Sequence, residues 1–347
     1  MTELGRGRMF SNSGLRISEI GEKRLISEFV RPLFNAEDDP SGVGDDCAML
    51  EATEKDVFLF STDRVPADLI AFRLGILNYE GLGQYLAYLN ISDIAACGGR
   101  PVGLLLNLGL PRHFLYEDFK LLCNGVKKAA DRYSCRIMGG DISDGSEVSI
   151  SATSIGIAKA GRVLTRRGAR PGDSIFISRP LGLTPTAFAY YLSDSNEGIN
   201  LSSLEVQELN EQFTNIDPLI SLGLALASSD ECTSCMDNTD GVGQSLLELS
   251  AASQSNFIVY RTLLRVPTIV KKVAHAIGKD VIEMAFSAGA DFSLVGTLRG
   301  RWSQTEAENR FGSPVQIIGY VDEGDGVTLD SESKRIPLSF TGWNYFL

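Results

Sequence analysis

The chain has 347 residues, 44% hydrophobic and 22% charged, which supplies real cores for two domains of ordinary size and an ordinary globular charge content. Its net charge of −12 makes a nucleic-acid backbone a poor partner, and no apolar run reaches the roughly 20 residues of a membrane span. Two histidines, His113 and His275, all but exclude His-based triads and zincin motifs. Among six cysteines only Cys232-Thr-Ser-Cys235 has metal or redox spacing, without the second pair a zinc site needs. No Walker-type phosphate loop is present, and the G-x-G pieces at Gly42, Gly81 and Gly241 lack the third glycine of a dinucleotide fingerprint. The start of the chain has no signal-peptide-like apolar centre, so a cytoplasmic location is expected.

In chain order, residues 1–20 read as a polar lead-in, and Glu22 to Phe34 as an amphipathic helix with Leu25, Ile26, Phe29, Val30 and Leu33 on one stripe. Gly42-Val-Gly-Asp45-Asp46 is a glycine turn with adjacent carboxylates, leading into a strand. Val57 to Asp63 reads as a buried strand that delivers Ser61, Thr62 and Asp63 at its C-terminal end. Glu80 to Cys97 reads as a helix with Asp93 near an apolar stripe. Such a carboxylate needs a cation or donors, or else lies beyond the buried part and caps a neighbouring element. Gly98-Gly99-Arg100-Pro101 stops that helix. A strand at Val102–Leu108 and a helix at Tyr116–Tyr133 follow. Arg136 to Asp141 reads as a strand, a Gly139-Gly140 turn whose N–H groups could face a phosphate, and a carboxylate. Val148 to Ala158 alternates as a strand.

Residues 161–172 form a basic, glycine-rich hinge with Arg162, Arg166, Arg167 and Arg170, suited to clamping a polyphosphate or to serving as a solvated linker. The domain boundary is placed near 160, giving domains 1–160 and 161–347. The second half repeats the alternation of strands and helices, so the fold class is α/β (α+β) in two domains. Strands fall at Ser174–Ser178, Phe257–Tyr260 and Val315–Val321, and helices at Pro185–Leu192 and Gly243–Ser253. Asp63, Asp93, Asp141, Asp144, Asp237 and Asp240 all sit beside Gly, Ser, Thr or Asn at the ends of apolar segments. Clustered carboxylates of this kind suit a hard cation such as Mg²⁺, held jointly with substrate phosphates.

The stretches GVGDDCAML (42–50), STD (61–63), LNISDIAACGG (89–99), MGGD (138–141), RVLTRRGARPGD (162–173), MDNTDG (236–241) and SAGADFSL (287–294) occur in fixed order. Together they resemble thiamine-monophosphate kinase, within the aminoimidazole-ribonucleotide-synthetase-like superfamily. The resemblance implies two α/β domains whose N-terminal halves pair in a homodimer around a shared sheet. It implies ATP and several Mg²⁺ ions, with Asp46, Ser61, Thr62, Asp63, Asp93, Asp141, Asp237 and Asp240 as metal ligands. It places Gly140, Asp141, Arg166 and Thr239 at ATP, and no protein nucleophile, since phosphoryl transfer needs positioning and charge neutralisation. Ile70, Ala290 and Trp343 fall at the positions of the family's acceptor contacts. Ile70 stands in place of a histidine, Ala290 in place of a glutamate, and Trp343 keeps the aromatic. The expected substrate is a small phosphorylated or hydroxylated acceptor, with the acceptor side altered.

Overall fold

The computed structural model describes residues 16–33, 44–193, 198–287, 289–311, 315–331 and 334–338. It divides into residues 1–44 with 344–347, and residues 45–343. In the first unit the chain is helical from α1 (Glu22–Leu25) through a π-helical stretch, Ile26–Val30, to α2 (Arg31–Leu33). Phe29 and Leu33 stand 57% and 58% exposed.

In the second unit the described strands form two sheets. The first is ordered β1 (Ala48–Glu51), β2 (Asp56–Arg64), β5 (Ser149–Lys159), β3 (Arg100–Leu110), β4 (Arg136–Asp144). Its pairings are antiparallel except β3 with β4. Burial on β5 alternates strictly, with Ile150, Ala152, Ser154 and Ala158 on the buried face. That face is covered by α4 (Tyr79–Ala96), which packs on α5 (Tyr116–Arg132); the short α3 (Ile70–Arg73) precedes them. The other face carries Phe58, Phe60, Leu105, Ile155 and Ile157.

Two expectations change here. The strand at 57–63 has Leu59 as its one fully buried residue, because only one of its faces is covered. Gly139 and Gly140 form no turn. They lie inside β4, with φ of 140° and 149°, at a register shift against β3. A Cβ on Gly140 would sit 1.9 Å from the Leu106 carbonyl oxygen, so glycine is what permits that close pairing.

The helix α4 is not a surface helix with one apolar stripe. It is buried from Leu82 to Ala96 apart from Gln84, because it lies between the first sheet, α5, α8 (Ile220–Ser228) and strand β7 (Cys232–Asn238). Asn78 caps its start, its Oδ1 accepting from the Gly81 N–H at 2.9 Å. Gly98, at φ 68°, ends it.

The second sheet runs β12 (Arg335–Pro337), β11 (Val327–Asp330), β8 (Asn256–Tyr260), β10 (Gln316–Asp322), β6 (Ser174–Ile177), β9 (Ser293–Leu298), β7. The helices of this half are α6 (Leu183–Leu192), α7 (Ser203–Thr214), α8, α9 (Val242–Ser253), α10 (Thr268–Ala276), α11 (Val281–Phe286) and α12 (Gln304–Phe311). Phe176, Phe257, Phe286 and Phe292 fill its core. The Cys232–Cys235 pair lies along β7 rather than at a strand–helix junction, which removes the redox-motif context.

Candidate metal–phosphate site

The strand period of two sends Ser61 and Asp63 to the same side of β2, opposite Ser154 and Ala152 on the face beneath α4. Asp93 of α4 meets them there. The Ser61 hydroxyl donates to Asp93 Oδ2, and Asp63 lies beside Asp93. Asn90, one turn earlier, fixes the strand end: its Oδ1 accepts from the Asp63 N–H at 3.0 Å, and its Nδ2 donates to the Leu86 carbonyl at 2.9 Å. From the other sides come Asp46, ahead of β1, and Asp237, on β7.

One carboxylate oxygen each from Asp46, Asp93 and Asp237 lie within 4.8 Å of one another. All three residues are buried, and the Oδ2 atoms of Asp46 and Asp237 have no hydrogen-bond partner. Burial pushes the Asp46 carboxyl up to about 6 despite the guanidinium beside it. It pushes Asp93 and Asp237 well above the usual carboxylate range, and each has other cluster carboxylates adding to the effect. Asp63 is raised too, by burial first and by the nearby Asp240.

One cation of the protein enters this group. Arg166 Nε donates to Asp46 Oδ1 at 2.9 Å, and Nη1 to Glu248 Oε2 at 2.5 Å. The Arg166 N–H also donates to Asp45 Oδ1 at 3.0 Å. Burial opposes its charge, but Asp46 and Glu248 outweigh that and raise its pKa. The hinge arginine is therefore a built-in partner of the acidic cluster and not part of a solvated linker.

Among the described residues, the one guanidinium bonded to the cluster leaves several buried carboxylates to be neutralised either by protons or by a metal ion. Oxygen-only donors with two orphaned buried oxygens fit a hard divalent cation. Asp46, Asp93 and Asp237, with Asp63 and Ser61 alongside, are the residues that would hold it.

Two of the other expected ligands, Thr62 and Asp141, do not join this group. Thr62 points to the opposite face of the sheet, where its Oγ1 donates to the Ala152 carbonyl at 3.0 Å and accepts from Thr153 Oγ1 at 3.1 Å. Asp141 pairs in register with Asn107 on that same outer face and is exposed, with Gly140 beside it. Strand alternation separates residues that sequence proximity had grouped together. Asp144 pairs with Arg112 at 3.0 Å. Thr239 and Asp240 follow β7 directly. Ile70 starts α3, and Ala290 precedes the half-buried Asp291 and the buried Phe292. Trp343 lies outside the described residues. Sequence reasoning missed Glu248, a helical carboxylate with no turn or glycine beside it, and Asn90, whose role depends on tertiary contact.

Two cavities lie on either side of Ile216, and Asp291 lines the smaller. One, of about 350 Å³, is lined by Gly75–Asn78, Gln84, Tyr85, Tyr88 and Phe213. The other, of about 230 Å³, is lined by Arg179, Glu208, Glu211 and Asp291. Ile216 borders both.

Residues 44–158, which carry the first sheet and α4, match the family described as AIR synthase related protein, N-terminal domain. Over nearly the whole length, the thiamine-monophosphate kinase of Aquifex aeolicus is 29% identical across 339 residues, 96% of this chain and 100% of that one. That of Pyrococcus horikoshii is 27% identical across 326 residues, 93% of this chain and 96% of its own. The solved structure of AaThiL complexed with AMPPCP and TMP superposes with a TM-score of 0.78 at 26% identity, covering 96% of this chain and 100% of that one. Over nearly its whole length the chain is similar to thiamine-monophosphate kinases. The hydrogenase maturation protein HypE in complex with ATP, 20% identical with a TM-score of 0.62, shares the fold.

Proposed function

We propose that this chain is an ATP- and Mg²⁺-dependent phosphotransferase of the thiamine-monophosphate kinase type, converting thiamine monophosphate to thiamine diphosphate. The observation that carries the reading is the buried Asp46–Asp93–Asp237 group with its two orphaned oxygens. Two anions must approach one another in such a reaction, and bound Mg²⁺ supplies the charge neutralisation that lets them. The chain's own residues hold and orient: Asn90 fixes the end of β2, Arg166 tethers Asp46, and Thr239 and Asp240 present the turn after β7 to the nucleotide. Gly140 and Asp141 make a second, outer patch for ATP.

A homodimer fits the outer face of the first sheet, where Leu50, Leu105 and Met138 stand 60%, 40% and 52% exposed and β4 is an open edge. A second copy would cover that face and enclose Thr62 and Asp141. The boundary near 160 is supported by the strands, since the first sheet draws on residues 48–159 and the second on 174–337. A cytoplasmic location agrees with the absence, among the described residues, of a helix long and apolar enough to cross a membrane.

On the acceptor side, Ile70 and Ala290 remove an imidazole and a carboxylate that would meet the cationic thiamine ring. The test is thiamine diphosphate formation at saturating Mg·ATP. Turnover with a raised KM for thiamine monophosphate, lowered by Ala290→Glu with no change in KM for ATP, is expected. Absence of any thiamine diphosphate would overturn the reading, and would leave a non-catalytic nucleotide-binding homologue or another ATP-dependent chemistry of the superfamily.

A further inference from the structure

Strand β7 alternates, so Asp237 faces the acidic cluster while the next residue, Asn238, faces away from it and is fully buried. Every polar group of the Asn238 side chain is used. Nδ2 donates to Asp291 Oδ2 at 3.2 Å and to Ser293 Oγ at 3.2 Å, and Oδ1 accepts from Ser245 Oγ at 3.3 Å. The Asn238 carbonyl accepts from the N–H groups of Asp291 and Phe292, at 3.1 and 3.2 Å. Phe292 holds a left-handed φ of 49°, a costly conformation for a bulky residue, and its ring stacks edge-on against Tyr85 of α4 at 5.4 Å. Strain of this kind persists only where the surroundings over-determine it, and here five hydrogen bonds and a buried ring do so. Asp291 also lines the cavity of about 230 Å³ beside α7. One residue therefore touches both the cavity and the strand end that carries Asp237 and Asp240.

We propose that Asn238 and Asp291 form a positioning pair that joins the cavity beside α7 to the metal-bearing end of β7, so that an acceptor seated in that cavity tightens the cation site. This rests on the phosphotransferase reading for the identity of the acceptor. The pair itself acts through hydrogen bonding and geometry. Asp291→Asn keeps an oxygen for Asn238 Nδ2, whereas Asp291→Ala does not, so the two variants separate a hydrogen-bonding role from a role of charge alone. Asn238→Ser breaks the same contact from the other side and serves if Asp291→Ala fails to fold.

The experiment follows Mg²⁺ half-saturation by thermal shift in the presence of a non-hydrolysable ATP analogue, with and without thiamine monophosphate, alongside kcat and KM for ATP. Thiamine monophosphate should lower the Mg²⁺ half-saturation several-fold in wild type and Asp291→Asn, and leave Asp291→Ala unchanged. Asp291→Ala should also lose about tenfold in kcat with KM for ATP within about twofold. Asp291→Asn as impaired as Asp291→Ala, or a wild type whose Mg²⁺ response ignores the acceptor, would overturn the proposal. Wild-type protein that shows the linkage but forms no thiamine diphosphate would instead refute the assigned reaction while supporting the pair.

Discussion

Asp93 is held between conflicting demands: Ser61 bonds to it, burial disfavours its charge, and Asp237 adds repulsion. Asp93→Asn should relieve the repulsion and raise the melting temperature of metal-free protein. It should also cut Mg·ATP-dependent turnover by roughly tenfold or more, the worth of one charge-assisted interaction. Thermal melts and steady-state rates on the same preparation read both effects. The cluster also sets a pH dependence. A carboxyl whose pKa is raised by folding contributes stability below its unfolded pKa of about 4, and that stability is lost as pH rises through the folded value. For Asp46 that value is about 6, and Asp93 and Asp237 are likewise raised well above the ordinary carboxylate value. Metal-free protein should therefore melt progressively lower as pH rises from about 4 through 6 and beyond. Added Mg²⁺ should raise the melting temperature more at pH 7.5 than at pH 5, where protons compete for the same oxygens. A Mg²⁺ shift that is equal at both values would contradict the assignment of these carboxylates as ligands.

At the scale of elements, the site depends on how closely α4 can lie between its neighbours. A Cβ on Gly83 would sit 2.1 Å from the Leu122 carbonyl oxygen, and one on Gly125 would sit 1.9 Å from that of Glu80. Gly83→Ala should cost about 1–3 kcal/mol by overpacking. It should reduce Mg²⁺ affinity as well, because α4 carries Asp93, and chemical denaturation with and without Mg²⁺ separates the two losses. Much of this was legible in the sequence. The carboxylates of the cluster announced themselves by sitting beside small polar residues at the ends of apolar runs, and the strands bearing them lie within a few residues of their expected places. What was not legible depended on tertiary contact. Gly139-Gly140 reads as a turn by composition, but pairing with β3 carries the strand straight through it. Arg166 reads as a phosphate clamp or a linker residue, and nothing in its spacing announces Asp46 and Glu248, which reach it from 120 and 82 residues away. The π-helical stretch at Ile26–Val30 leaves no mark in the apolar spacing.

Across the whole molecule, the functional groups divide between two faces of one sheet: a buried inner cluster, and an outer patch with Thr62 and Asp141. A second copy of the chain would close the outer one. Leu105→Glu, on that exposed face and away from the inner cluster, should convert a dimer to monomers in sedimentation equilibrium while leaving the fold intact by circular dichroism. A wild-type monomer across micromolar concentrations would remove the dimer from the account. The central claim is that the buried carboxylates form a cation site through which ATP is bound. Calorimetric titration of a non-hydrolysable ATP analogue, in Mg²⁺ and then in EDTA, tests it most directly. The account predicts that affinity falls by at least about tenfold without Mg²⁺, since bare carboxylates repel the triphosphate. Equal affinity in EDTA would contradict it.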